Sequence, residues 1–302
     1  MSRTVLVSGG SGLIGSALTA HLRARGDRVI SLVRREALSH DEIRWDPAAG
    51  SLPEGAVDGS DVVVNLSGAG IGDKRWSEHR KQTIFESRLA ATGLLARAVA
   101  SASNPPSIFL SASAIGIYGQ DRGDEVLDES AGVGHDFLAR VSAQWELAAQ
   151  PAAEAGTRVV LFRTGLVLDG RGGLLGPLLP LFKAGLGGKI GSGGQWMSWI
   201  SLDDEIAALD HLMDSSIFGP VNLVAPNPVT NKEFTLALSR ALRRPALLTV
   251  PRWALVLRFG REMAEGMALA NQRVTSGRLT SDGFHFGHPD LEPALRRVLD
   301  RG

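Results

Sequence analysis

The chain has no cysteine among its 302 residues. Disulfides, thiolate nucleophiles and cysteine-ligated zinc sites are therefore excluded. The chain also has no excess of charge, since 32 Lys and Arg balance 32 Asp and Glu. Because a general nucleic-acid binder usually carries a basic excess, we expect no nucleic-acid partner.

Long apolar runs are also absent. Every apolar stretch is shorter than the roughly 18 to 20 residues that a membrane-spanning helix needs, and the opening MSRTVLVSGG has no extended apolar segment of a signal peptide. We therefore expect a cytoplasmic protein with no membrane partner. Glycine, in contrast, is abundant at 36 residues, which indicates many tight turns and close backbone approaches.

Short apolar runs alternate with helical segments along the first half of the chain. The runs predict strands at Thr4–Val7, Arg28–Val33, Asp61–Leu66, Ser107–Leu110 and Arg158–Phe162. The segments between them predict helices at Gly12–Arg25, Trp76–Ala102 and Asp136–Ala155. Continuous apolar strands with long crossovers are typical of a parallel sheet covered on both faces. We predict an α/β fold with a Rossmann-type doubly wound parallel sheet.

The alternation loosens after about residue 165. Residues 170–194 are rich in Gly, Leu and Pro, whereas Val221–Val224 still predicts a strand. Helices are predicted at Asn231–Leu242, Trp253–Leu269 and Asp290–Leu299. We predict a dinucleotide-binding domain over residues 1–165. Residues 166–302 are predicted to form mainly a smaller α+β substrate lobe, with some segments returning to the Rossmann sheet.

A G-x-x-G-x-x-G turn follows the first strand and opens the first helix. Gly9 allows the tight turn, Gly12 lets the backbone approach a pyrophosphate at the helix N-terminus, and Gly15 lets the helix pack closely on the sheet. The alternative is a tight turn without a ligand. The predicted cofactor-binding residues in this turn are Gly9, Ser11, Gly12, Leu13, Ile14 and Gly15.

Two arginines follow the second strand, where an NAD-binding protein would carry an acidic residue for the ribose. Arg34 and Arg35 instead offer charge and a hydrogen-bonding fork for a 2′-phosphate. Glu36, one residue further, instead favours NAD. The alternative for the two arginines is a solvated basic turn without a ligand. We predict NADP(H) as the cofactor, bound in part by Arg34 and Arg35.

Small residues follow the strand at Asp61–Leu66, and they can let a cofactor ribose lie close to the backbone. A simple turn is the alternative. The predicted cofactor residues here are Leu66, Ser67, Gly68 and Ala69. Cations at Lys74, Arg75, Arg88 and Arg163 suit an anionic substrate or the cofactor phosphates, although each could be a solvated surface charge. Arg88 is included in the predicted cofactor site.

Five segments together resemble the extended short-chain dehydrogenase/reductase superfamily. They are the Gly9-Gly12-Gly15 turn, Asn65–Ala69, Ser111–Gly119, Arg163–Leu168 and Gly191–Asp204. More narrowly, the chain is similar to atypical NADP-dependent epimerase-family proteins that carry a C-terminal domain of unknown function. The narrower match lies in Trp45–Pro47, Asp73–Ser77, Ser87-Arg88, Asp136–Leu138, Trp145-Glu146, Arg273-Val274, Arg278-Leu279, Gly283-Phe284 and Pro289–Leu291.

The catalytic pair of that superfamily, a Tyr and a Lys four residues later, is missing. The resemblance places the pair at Leu138 and Ser142, which cannot do its acid–base work. Ser113 corresponds best to the family's substrate-orienting serine. Ser111 is its rival, and we assign Ser111 to the cofactor site. The only tyrosine of the chain, Tyr118, follows this serine strand.

We predict Ser113 and Tyr118 as catalytic residues; the alternatives are a turn serine and a packing tyrosine. An unassisted phenol has a pKa near 10 and donates a proton more readily than it accepts one. With no base in view, we expect reduction by NADPH to be easier than oxidation. His285 and His288 have neither a nearby Cys nor a helical frame, so no metal site is predicted.

Two functions are compatible with these residues. The first is an NADP(H)-dependent oxidoreductase or nucleotide-sugar-epimerase-like enzyme acting on a small polar or phosphorylated, anionic substrate. The second is an NADP(H)-binding sensor or partner protein that has lost turnover. The missing Tyr and Lys favour the second, whereas Ser113 and Tyr118 favour the first. The sequence assigns neither a substrate nor an oligomeric state.

Overall fold

The structure is a computed structural model that describes residues 2–300. Its strands are β1 (Thr4–Ser8), β2 (Arg28–Val33), β3 (Glu42–Arg44), β4 (Val62–Asn65), β5 (Ile108–Ala114), β6 (Asp121–Leu127), β7 (Arg158–Thr164), β8 (Leu166–Asp169), β9 (Gly172–Gly173), β10 (Gly188–Ile190), β11 (Trp196–Met197), β12 (Trp199–Ser201), β13 (Gly219–Leu223), β14 (Val229–Thr230), β15 (Leu248–Val250) and β16 (Asn271–Val274).

The α-helices are α1 (Leu13–Arg25), α2 (Glu78–Ala100), α3 (Phe137–Leu147), α4 (Gln150–Glu154), α5 (Leu175–Lys183), α6 (Leu202–Asp214), α7 (Asn231–Leu242), α8 (Arg252–Phe259), α9 (Arg261–Met263), α10 (Gly277–Ser281) and α11 (Leu291–Asp300). A 3-10 turn covers Ile115–Tyr118, and a π-helical turn covers Ala264–Ala268.

Seven strands form the main sheet, in the order β13-β7-β5-β4-β1-β2-β3. The ladders from β3 to β5 are parallel. Leu6, Val63 and Phe109 on neighbouring strands are fully buried and pack with Leu95 and Val99 of α2. This burial explains the continuous apolar runs in the sequence. The predicted Rossmann-type parallel sheet is confirmed.

Two predicted helices are interrupted in the structure. The segment predicted as one helix over Asp136–Ala155 forms α3 and α4, and Pro151 lies at the start of the second helix. The segment predicted over Trp253–Leu269 breaks at Gly260, whose φ of 86° lies in a region that glycine adopts readily. The short strand β3 was not predicted.

The chain divides into two compact units that do not follow a single boundary. The first unit comprises the chain up to Ser113, Val141–Phe162 and Leu209–Val221. The second comprises Ala114–Arg140, Arg163–Ala208 and the chain from Asn222. Residues 114–140, predicted within the dinucleotide-binding domain, therefore belong to the second unit. Residues 209–221, which contain the end of α6 and the start of β13, return to the first unit.

The second unit has its own small sheets and its own core. Parallel β8 and β12 form a three-stranded sheet with β9, and the pairs β10-β15, β11-β14 and β6-β16 add short ladders. Trp199, Phe234 and Leu295 lie in the core, each no more than 1% exposed. The α and β elements of this unit are mixed, and its role as a substrate lobe stays a prediction.

Residues 2–300 contain neither a membrane-spanning helix nor a cluster of metal ligands. No helix in this part of the chain is long and apolar enough to cross a bilayer. No group of three or more His, Asp or Glu side chains in the same residues is placed to hold a metal ion.

Candidate functional site

The glycine turn joins β1 to α1 in the first unit. Gly9 has a φ of +74°, and a Cβ there would lie 2.7 Å from the Leu66 backbone. A Cβ on Gly15 would collide with the Gly9 carbonyl oxygen. The protein itself therefore requires both glycines. A Cβ on Gly12 would meet only the Gly9 oxygen, at an ordinary 3.4 Å, so the fold alone does not require Gly12.

Gly12 is the N-cap of α1, and no side chain caps this helix start. Its first turn contains no acidic residue. Uncapped N–H groups at a helix start attract an anion. Ser11 and Gly12 are exposed, and Leu13 and Ile14 are half-buried. The turn therefore fits a pyrophosphate. A bound pyrophosphate would explain why residue 12 is glycine, since packing within the protein does not require one there.

The two arginines after β2 differ in their contacts. Arg35 donates two hydrogen bonds to Glu42, at 2.8 and 2.5 Å. Together with the Leu38 backbone N–H, this guanidinium lowers the pKa of Glu42 to about 2. Arg34 is exposed, and within residues 2–300 it has no ion pair. Arg34 is therefore the available cation at this strand end, whereas Arg35 is occupied by Glu42.

The small residues after β4 make room for a side chain of α2. A Cβ on Gly68 would lie 3.1 Å from the Arg88 side chain. The Ala69 carbonyl oxygen accepts a hydrogen bond from Arg88 Nη1 at 2.9 Å, and Ser87 Oγ accepts one from the Ala69 N–H at 3.0 Å. The small size of Gly68 is therefore explained by Arg88 and not only by an approaching ribose, as the sequence had led us to expect.

Arg88 itself is buried, with 6% of its surface exposed. Its guanidinium lies 4.9 Å from the centre of the Trp145 ring. Burial, followed by the positive charge of Arg80, lowers the pKa of Arg88 to about 10. Its Nε is buried and has no hydrogen-bond partner within residues 2–300. Arg88 is therefore not a solvated surface charge. Because a buried N–H without a partner is costly, its Nε favours a hydrogen bond to an acceptor atom of a bound ligand.

The end of β5 carries both candidate serines. Ser111 is fully buried, and its hydroxyl has no partner among the described residues. Ser113 is 4% exposed and donates a hydrogen bond to Glu146 Oε1 on α3, at 2.6 Å. Both serines thus lie in the first unit, together with the glycine turn.

Glu146 is a polar residue that the sequence reasoning did not assign to the site. It is half-buried on α3, one helical turn after Ser142, the position corresponding to the missing Lys. Residues four apart share a helix face, so this spacing could have identified Glu146. The family's pattern of a Tyr and a Lys does not include Glu146.

Tyr118 lies in the second unit and is fully buried. Its hydroxyl donates to Asn222 Oδ1 at 2.7 Å and accepts from Arg163 Nη1 at 2.9 Å. Burial raises the pKa of Tyr118 above 10, against the opposing effect of Arg163. A fully buried phenol with two hydrogen-bond partners favours the packing alternative over the predicted catalytic role.

Glu205 is a fully buried carboxyl that the sequence reasoning did not identify. It lies on α6 with no exposed surface. Thr164 Oγ1 donates a hydrogen bond to Oε1 at 2.7 Å, and Oε2 has no partner among the described residues. Burial raises the pKa of Glu205 to about 8, so the group is mostly protonated at neutral pH.

Comparison with known proteins agrees with this geometry. The NAD dependent epimerase/dehydratase family matches residues 5–223, and a domain of unknown function, DUF1731, matches residues 250–298. Epimerase family protein Mb2239 of Mycobacterium bovis is 45% identical over 98% of this chain and 98% of its own. The chain belongs to the NAD dependent epimerase/dehydratase family. The predicted resemblance and the class of cofactor, a nicotinamide dinucleotide, are confirmed.

Two solved structures are similar over nearly the whole chain. Human epimerase family protein SDR39U1 (isoform 2), crystallised with NADPH, is 35% identical with a TM-score of 0.90, over 98% of this chain and 99% of that one. The nucleoside-diphosphate sugar epimerase from Corynebacterium glutamicum is 39% identical with a TM-score of 0.81. The match covers 99% of this chain but only 58% of the Corynebacterium protein.

Proposed function

We propose that this protein is an NADP(H)-dependent oxidoreductase with a nucleotide-sugar-epimerase-like site for a small polar or phosphorylated substrate. The observation that carries the proposal is the hydrogen bond between Ser113 and Glu146. It supplies an acid–base group where the usual Tyr and Lys are missing. NADPH in the similar human structure and the name of the Corynebacterium relative support the choice of cofactor and substrate class.

The first unit provides the residues that would hold the cofactor. The turn from Gly9 to Gly15 would hold the pyrophosphate, and Arg34 would hold the 2′-phosphate. Arg35 would keep the strand end in place through Glu42. Arg88, Ser111 and the segment Leu66–Ala69 complete the predicted set. When bound, the nicotinamide supplies hydride transfer.

Ser113 and Glu146 would move the proton. The Ser113 hydroxyl can accept a proton from a substrate hydroxyl while its own proton passes to Glu146 Oε1. In the opposite direction, Glu146 returns the proton through Ser113 to a substrate oxygen. A carboxylate is a base, and the sequence reasoning had found none. We therefore propose that the pair supports both reaction directions, whereas the sequence alone led us to expect reduction to be easier than oxidation.

An NADP(H)-binding sensor without turnover is the second candidate. Leu138 and Ser142 occupy the positions of the usual pair, and Ser142 is buried. The burial of Tyr118 disfavours it as a further candidate acid. If Glu146 does not act as the acid–base group either, these observations favour a sensor.

A two-stage experiment separates the candidates. Calorimetry first measures binding of NADPH and NADH to the wild-type protein. A panel of nucleotide sugars, ketones, aldehydes and quinones is then screened for loss of NADPH absorbance. Tight NADPH binding with turnover that Glu146→Gln abolishes supports the enzyme. Tight binding without turnover across the panel supports the sensor, and no binding of either cofactor contradicts both.

A further inference from the structure

The second unit exposes a group of large apolar side chains on α5, β15, α8 and the segment before β10. We call this group, with the cations described below, the apolar–basic surface. Leu247, Trp253 and Leu257 are 89%, 69% and 73% exposed. The apolar members are Leu181, Leu186, Leu247, Leu248, Trp253 and Leu257. None of the eight residues of α8 is buried, although six of them are apolar.

These side chains belong to neighbouring segments. Strand β10 pairs in parallel with β15, and Gly188 lies opposite Leu248. The Leu186 N–H donates to the Leu181 carbonyl oxygen at 2.9 Å. A Cβ on Gly191 would lie 3.5 Å from the Arg252 side chain. The end of α5, the β10-β15 ladder and the start of α8 therefore form one continuous region.

The two segments that carry these apolar side chains, residues 181–190 and 240–261, also carry cations. Residues 181–190 and 240–261 contain no Asp or Glu. The exposed cations of these segments are Lys183, Arg240, Arg243, Arg244, Arg252, Arg258 and Arg261, of which Arg240 lies 3.6 Å from Glu292. Because the whole chain has a formal net charge of zero, this is a local concentration of positive charge. The surface therefore combines apolar side chains that water solvates poorly with charges that attract an anion.

Although the sequence led us to expect no membrane partner, we propose that the apolar–basic surface docks on an anionic lipid bilayer. Trp and Leu side chains enter the boundary between headgroups and acyl chains, while flanking Arg and Lys pair with anionic headgroups. A second copy of the chain fits this surface less well, since a two-fold interface would place the same cations against one another. The absence of a spanning helix from residues 2–300 is compatible with docking, because a peripheral contact needs none.

Flotation with vesicles tests the proposal on the full-length protein. The probes are vesicles of phosphatidylcholine alone and vesicles containing 30% phosphatidylglycerol, a composition chosen for the test. We expect the wild-type protein to float only with the anionic vesicles, and 0.5 M NaCl to reduce the bound fraction severalfold. Trp253→Ser with Leu257→Ser should lower binding at least tenfold, as should Arg252→Glu with Arg258→Glu.

The matched control is Leu38→Ser, which removes a 79% exposed leucine from the first unit. This variant should bind vesicles like the wild type. Unchanged melting temperatures establish that all variants are folded. The proposal is overturned if the wild type does not float with anionic vesicles, or if the paired substitutions leave flotation unchanged. It is also overturned if Trp253→Ser with Leu257→Ser only converts a dimer to a monomer, measured by light scattering.

Discussion

Ser113 Oγ on β5 lies 2.6 Å from Glu146 Oε1 on α3 and donates a hydrogen bond to it. The serine has almost no exposed surface, and the glutamate is half-buried. A short bond from a hydroxyl to a carboxylate polarises the hydroxyl and keeps both side chains in one orientation. In the proposed function, this pair serves as the acid–base group of the first unit in place of a tyrosine and a lysine.

Removing the Tyr118 hydroxyl should cost stability and leave turnover unchanged. Tyr118→Phe leaves Asn222 Oδ1 and the Arg163 guanidinium each without one buried partner, which should lower the free energy of unfolding by about 1–3 kcal/mol. Urea denaturation measures the change. A hundredfold fall in NADPH turnover at unchanged stability would instead restore Tyr118 as the acid.

Gly12 and Gly15 should respond differently to the same substitution. Gly12→Val should abolish NADPH binding in calorimetry and leave the melting temperature nearly unchanged, because its Cβ would meet only the Gly9 carbonyl oxygen, at an ordinary 3.4 Å. Gly15→Val should destabilise the protein itself, because its Cβ would collide with the Gly9 carbonyl. Normal NADPH affinity in folded Gly12→Val would show that the pyrophosphate lies elsewhere.

Glu205 should make stability depend on pH. Its pKa rises from 4.5 to about 8 on folding, so between these values the folded state binds more protons than the unfolded state. This contribution is fully present below about pH 4.5 and is lost as the pH rises through 8, with a slope of at most about 1.4 kcal/mol per pH unit.

Glu205→Gln removes the titrating proton and keeps an acceptor for Thr164. Its unfolding free energy, measured between pH 6 and 9, should lack the decline that the wild type shows over this range. Glu54→Gln, at an exposed carboxyl, is the matched control. A wild-type decline that persists undiminished in Glu205→Gln would place its origin in another group.

Arg34 should determine the preference for NADPH over NADH. Arg34→Ala should weaken NADPH binding by about 1.5–3 kcal/mol, the value of a charged hydrogen bond, and leave NADH binding unchanged. Arg35→Ala should weaken NADPH binding less, because Arg35 is already bound to Glu42. The account of this strand end is wrong if the two variants have equal effects, or if the wild type binds both cofactors equally.

The sequence predicted most of what depends on local pattern. The G-x-x-G-x-x-G turn and the apolar run DVVVNL have strong local signals, and both lie where they were expected, at β1-α1 and β4. The contact between Ser113 and Glu146 joins residues 33 apart in the chain. It depends on how α3 packs beside β5, which periodicity does not specify.

Burial was also hard to predict for polar side chains. Arg88 and Tyr118 carry polar groups that usually lie at the surface, yet both are buried with specific partners. Arg88 packs on the Trp145 ring and Tyr118 donates to the Asn222 side chain, and each of these partners is distant from it in the sequence. Conversely, the sequence predicted a helix over Trp253–Leu269 but gave no sign of its exposure, and none of the residues of α8 is buried.

The rate of NADPH consumption by Glu146→Gln tests the central claim most directly. Gln keeps the size of the side chain but cannot take up the proton as a carboxylate does. With the best substrate of the screened panel, the account predicts a rate at least a hundredfold below that of the wild type, with NADPH affinity unchanged. Gln144→Ala, at an exposed position on the same helix, should retain the wild-type rate. A Glu146→Gln protein that consumes NADPH as fast as the wild type would contradict the account.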